Sequence, residues 1–185
     1  MCIRDRIWGG SAGVIFSFLV EMAIPASEFV TMAIVAPLAE ELAKASVFIL
    51  VATGARKLEL TSLTDHIFYA GICALGFAFV ENLGYFALSS SAGEFVVMAL
   101  VRTGFGVFGH PLYTTATAVG IWAWRTKGGL WKAAVGYIAA CLLHGLWNGG
   151  PTLLAGSLGL DDTGQLAAMI LVYIVPVSYT HLTLP

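Results

Sequence analysis

Long apolar runs, separated by short stretches where charges and turn formers collect, leave this chain few possible folds. Only 11% of its 185 residues are charged and 58% are hydrophobic, whereas a soluble domain carries roughly 25% charged residues. So few charges do not coat a soluble surface. A helix that crosses a bilayer needs about 20 mostly apolar residues. Loops and open sheet edges exposed to lipid are excluded, because their backbone polar groups find no partner there. The expected fold is therefore all-α, a polytopic transmembrane helical bundle of about six to seven spans.

The runs lie at about 8–24, 29–53, 66–90, 98–124, 132–156 and 165–180. The breaks are Pro25 to Glu28, Arg56 to Glu59, Ser89 to Glu94, Arg125 to Gly129, and Asp161-Asp162. With 98–124 as one span, bent at Pro111 because proline removes a helix hydrogen bond, the loops alternate cleanly in charge. Arg56, Lys57, Arg125, Lys127 and Lys132 fall on the cytoplasmic side, and Glu28, Glu94, Asp161 and Asp162 outside. Trp122, Trp124 and Trp131 flank the inner basic loop, where an aromatic belt belongs.

One domain is expected over residues 7–180. The ends, 1–6 and 177–185, do not fit the segments beside them and read as non-native, so His181 is set aside. The net charge of -2 says little; no basic stripe points to nucleic acid, and none is expected as a partner. Cys2, Cys73 and Cys141 are far apart and form no CxxC pair. Cys73 and Cys141, inside apolar runs, are expected to pack as small hydrophobes.

Ionisable residues inside a span cost several kcal/mol and point to function. Here they are Glu40, Glu41 and Lys44 in the second span, Glu81 beside Asn82 in the third, Arg102 and His110 in the fourth, and His144 in the fifth, one turn before Asn148. Counted from the outer end of each span at 1.5 Å per residue, Glu40, Glu81, His110, His144 and Asn148 fall in a slab roughly 6 Å thick, about 12–18 Å deep.

Glu40 and Lys44 are four apart and can pair, while Glu41 points about 100° away and is left available. His144 and Asn148 share a face. Two imidazoles and carboxylates in a dry bundle can bind Zn²⁺ or hold a water directly. A glutamate kept from bulk water can act as general base, and an amide can donate to a tetrahedral oxyanion. Arg102 reads as a structural partner for Glu94 or Glu81.

The same cluster would suit a proton- or metal-coupled transporter or channel. A transporter spreads polar groups along a path and often shows repeat symmetry; this chain gathers them at one level and shows no repeat. A membrane scaffold without activity is a third reading. Gly9-Gly10-Ser11-Ala12-Gly13 matches GxSxG, but it opens an apolar helix rather than a strand–turn–helix. No HExxH occurs.

Four segments carry a family resemblance. Ala36-Pro37-Leu38-Ala39-Glu40-Glu41-Leu42-Ala43-Lys44 resembles the EExxK element of the PrsW family of intramembrane proteases, and Gly76 to Asn82 its FxxxEN element. Gly109-His110-Pro111-Leu112-Tyr113-Thr114 and His144-Gly145-Leu146-Trp147-Asn148 resemble its third and fourth motifs, in the family's order. That family is related to the CAAX-protease and bacteriocin-processing group.

The resemblance implies an integral membrane peptidase, usually filed with metalloproteases, with Glu40, Glu41, His110 and His144 central and Glu81 and Asn148 near them. It also implies membrane-anchored substrates such as anti-sigma factors. The expected roles are Glu41 or Glu40 as general base, His110, His144 and Glu81 on Zn²⁺, Asn148 on the oxyanion, and Lys44, Asn82 and Arg102 in support. The expected substrate is a single-span membrane protein in the bilayer, cut near the outer leaflet through a polar cavity open outward. The expected location is a prokaryotic plasma membrane.

Overall fold

A computed structural model describes residues 8–54 and 60–161. Every element among these residues is helical. They run α1 (Gly13–Ala23), α2 (Glu28–Val30), α3 (Ala36–Thr53), α4 (Leu63–Ala87), α5 (Ala92–Ala99), α6 (Gly109–Lys127) and α7 (Trp131–Leu158). Wider π-helical turns precede α1 (Trp8–Ala12), join α2 to α3 (Thr31–Val35), and follow α5 (Leu100–Gly106). The expected span 165–180, the basic pair Arg56-Lys57, Cys2, His181 and both suspect ends lie outside the described residues.

Local chemistry sets the helix ends. Ser62 and Asp65 close a reciprocal capping box on α4: Asp65 N–H donates to Ser62 Oγ at 3.1 Å and Ser62 N–H to Asp65 Oδ2 at 2.7 Å. Ser91 caps α5 by accepting from Glu94 N–H at 3.2 Å. Gly128 and Gly159, with φ of 67° and 62°, end α6 and α7 in backbone conformations that disfavour a Cβ.

The interior is polar and the exterior apolar, the reverse of a soluble protein. Glu40, Glu41, Lys44, His110 and His144 are buried, while Phe18, Leu50, Phe79, Leu142, Leu146 and Leu153 face out. Cys73 and Cys141 are buried free thiols. Among the described residues, two helical stretches are long and apolar enough to cross a bilayer, Leu63–Ala87 and Ala92–Lys127. These do not establish the expected six to seven spans. Apolar Gly10–Ala23 is short, and α3 carries three charges in its first half.

The expected bend at Pro111 lies elsewhere. The interruption falls at Val107 and Phe108, and Pro111 sits in the first turn of α6. A first-turn proline needs no N–H donor, so it starts a helix without kinking it.

Pro37 acts in a comparable way on the helix that carries the double glutamate. It sits in the first turn of α3, directly after the wide turn Thr31–Val35, and Ala36 N–H reaches back to Thr31 O. The carbonyls that a regular helix would satisfy are then free, and α7 meets them. Asn148 Nδ2 donates to Met32 O at 3.1 Å. Gly145 packs against Ala33 O with no room for a Cβ. Cys141 Sγ contacts Pro37 O at 3.7 Å. The pairs 141–37, 145–33 and 148–32 show α7 running antiparallel to the α3 strand of the bundle, with its irregular backbone covered by protein, as membrane depth requires.

Candidate active site

Four elements deliver the cluster. α3 brings Glu40, Glu41 and Lys44 on successive turns of its inner face, α4 brings Glu81, α6 brings His110 and Thr114, and α7 brings His144. These side chains come together inside the bundle.

Lys44 is the hub. Its Nζ lies 2.8 Å from Glu41 Oε1, 3.4 Å from Glu40 Oε2 and 2.8 Å from His110 Nδ1. It also lies 4.3 Å from the centre of the Phe77 ring. The sharing between the glutamates reverses the expected order: Glu41 is the tightly held carboxylate. Its Oε1 also faces His144 Nδ1 at 3.1 Å, and its Oε2 accepts from Thr114 Oγ1 at 3.0 Å. Glu41 is 0% exposed and meets these three partners without water.

The partners assign the imidazole tautomers. An ammonium only donates, so His110 Nδ1, beside Lys44, is an acceptor, and the neutral ring carries its proton on Nε2. An ionised carboxylate only accepts, so His144 Nδ1 carries that ring's proton toward Glu41 and leaves Nε2 bare. The two bare nitrogens both face Glu40: His110 Nδ1 is 3.8 Å and His144 Nε2 3.9 Å from Glu40 Oε2. The rings meet edge to face at 5.0 Å, and Tyr113 stacks on His144 at 4.8 Å.

Glu40, His110 and His144 thus offer one donor atom each within 4.8 Å of one another. The set fits a zinc-type ion. Ligand distances near 2.1 Å place tetrahedral donors roughly 3.3 Å apart, so the observed spacings need only small side-chain shifts. Lys44 would have to leave His110 Nδ1, and Glu41 is close enough to keep it.

Glu81, expected among the ligands, stands on the other side of the His110 ring, its Oε2 3.0 Å from Nε2. Arg102, expected to pair with Glu94 or Glu81, chooses Glu81 at 2.8 Å. Its Nε also donates to Asn82 Oδ1 at 2.6 Å. Glu94 instead caps the loop, accepting from Ser90 N–H at 2.8 Å. Asn148 lies one turn from His144 and is engaged with Met32 O.

Three participants escaped the sequence reading. Thr114 and Tyr113 lie on the His110 face of α6, one turn on, and that spacing was the available signal. Glu21 of α1, partly buried, lies close enough to Glu40 and Glu81 for their charges to interact. Its signal was a lone carboxylate in an apolar run.

A groove lies between α1 and the outer face of α3. It is apolar, about 300 Å³ in volume, and lined by Phe16, Val20, Leu38, Ala39, Leu42 and Tyr137 among others. Ser11 of the GxSxG string lies in a helical turn, without the strand that a nucleophile elbow needs.

No curated protein and no solved structure matches the chain. A family model described as PrsW family intramembrane metalloprotease matches residues 5–179. Those residues include all three helices that build the Glu–His–His cluster, and the chain belongs to the PrsW family of intramembrane metalloproteases.

Proposed function

We propose that this enzyme uses Zn²⁺ to hydrolyse peptide bonds in single-span membrane proteins, of the kind that includes membrane-anchored anti-sigma factors, in a prokaryotic plasma membrane. The observation that carries the reading is the convergence of Glu40 Oε2 with the bare nitrogens of His110 and His144.

In this reading Glu40, His110 and His144 hold the ion. When bound, the ion polarises the scissile carbonyl and makes water a better nucleophile. Glu40 would meet the ion through Oε2, and its second oxygen, Oε1, would take the proton from the attacking water. Lys44, held between both glutamates, offsets their negative charge. Glu41 fixes the tautomer of His144, and Thr114 fixes Glu41. Asn148 has a second amide N–H besides the one given to Met32 O, and this one is assigned to the tetrahedral oxyanion. Water exclusion follows from burial: His144 is 2% exposed and Glu40 5%. Gathering these groups at one level, rather than in a file across the bundle, favours the protease over the transporter reading.

The test is cleavage of a panel of tagged single-span membrane proteins in liposomes, with and without a zinc chelator. Wild type should cut at least one panel member; Glu40→Gln and His144→Ala should cut at least 100-fold more slowly, and chelator should stop the wild type. Variants that cut like wild type would remove the site assignment, and chelator-resistant cleavage would remove the zinc.

A further inference from the structure

His110 has two faces, and the reaction as proposed uses only one. Its Nδ1 looks toward Lys44 and Glu40. Its Nε2, on the other side of the ring, looks at Glu81. One ion cannot take both nitrogens of an imidazole, so Glu81 and Glu40 serve opposite sides of His110. Glu81 Oε2 is buried and lies 3.0 Å from His110 Nε2 and 2.8 Å from Arg102 Nη2; both are ion-pair contacts rather than aligned hydrogen bonds.

Arg102 is fixed at three points on α4. Nη2 faces Glu81, Nε donates to Asn82 Oδ1 at 2.6 Å, and the guanidinium lies 3.7 Å from the centre of the Tyr85 ring. It reaches them from the wide turn Leu100–Gly106, which follows α5, a helix with no buried residue. Two different nitrogens serve two acceptors while the flat group covers a ring. Lysine, a point charge, does none of this in one pose.

We propose that Arg102 and Glu81 are positioning residues that hold the His110 ring with Nδ1 toward Glu40 and His144, so that the Leu100–Gly106 turn tunes the metal centre without touching it. This rests on the reading of Glu40, His110 and His144 as ligands. A ligating imidazole whose other N–H meets a carboxylate is fixed in ring orientation and tautomer and becomes a stronger donor. Here the carboxylate is itself held by a cation, which keeps it charged and in place at membrane depth.

The experiment uses the full chain in detergent, with Co²⁺ as the probe and its visible absorption as the readout. A second readout is ¹⁵N NMR of labelled histidine, which reports the protonated nitrogen of His110 in metal-free protein. Glu81→Ala and Arg102→Ala should weaken Co²⁺ binding by about 10–100-fold while keeping the wild-type band shape. Arg102→Lys should fall between, and Leu100→Ala, exposed on the same turn, should bind as wild type does. In NMR, wild-type His110 should be protonated at Nε2 alone, since Lys44 at Nδ1 and Glu81 at Nε2 select the same tautomer, and losing the carboxylate in Glu81→Ala should shift its ¹⁵Nε2 resonance. Wild-type Co²⁺ affinity and an unmoved His110 resonance in the Arg102 and Glu81 variants would overturn the proposal. So would a changed Co²⁺ spectrum in Glu81→Ala matching that of Glu40→Ala, since Glu81 would then be a ligand. If Glu40→Ala and His144→Ala bind Co²⁺ as wild type does, the ion is elsewhere, and the metal reading falls together with this proposal.

Discussion

At the residue scale, the decisive object is a lysine with 1% of its surface exposed, surrounded by two glutamates and a histidine. Removing one partner from a buried ion pair leaves an uncompensated charge and costs about 3–5 kcal/mol. Lys44→Met should therefore lower stability by about that amount, read as the thermal midpoint of detergent-solubilised protein. Adding Glu41→Gln to Lys44→Met should restore part of the loss, because the most tightly paired orphan is then neutral. A double variant no more stable than the sum of two independent losses would mean that the pair is not coupled. The i, i+4 spacing announced that Lys44 pairs with a glutamate. It did not announce the three-way sharing, because His110 arrives from a helix 66 positions away.

At the element scale, Pro37 and the wide turn before it explain why α7 carries Asn148 and Gly145 where it does. Freed carbonyls at Met32 and Ala33 must be met from outside their own helix. Asn148→Leu removes the donor to Met32 O, and a buried unsatisfied carbonyl costs about 1–3 kcal/mol. Gly145→Ala would push α7 off Ala33 O and move His144, one residue away, so cleavage should fall at least tenfold. Gly156→Ala, with open space around it, is the matched control and should keep full activity. Unchanged cleavage in Gly145→Ala would mean that the close approach of α7 does not hold the site. Helix positions were legible from the apolar runs. The wide turns and the break at Val107 were not, since they depend on which backbone groups a neighbouring helix can satisfy.

At the scale of the whole molecule, the buried polar cluster and apolar exterior describe a bundle that sits in lipid, and the loop charges predict that Lys127 and Lys132 face the cytoplasm. Single cysteines in a background free of the native ones should report this. A cysteine at Gly128 should react with an impermeant maleimide only from the cytoplasmic face, and one at Ser90 only from the other face. The reverse pattern would invert the topology. The amino-acid sequence by itself determined an all-helical membrane chain and named nearly every ionisable member of its site, because a charge in an apolar run is costly enough to mark its own importance. The tertiary structure alone decided which glutamate is held closely and which loosely, which face of His110 meets which carboxylate, and that Asn148 answers a carbonyl. Those choices depend on distances of a few ångströms between helices far apart in the chain, and no spacing along one helix encodes them.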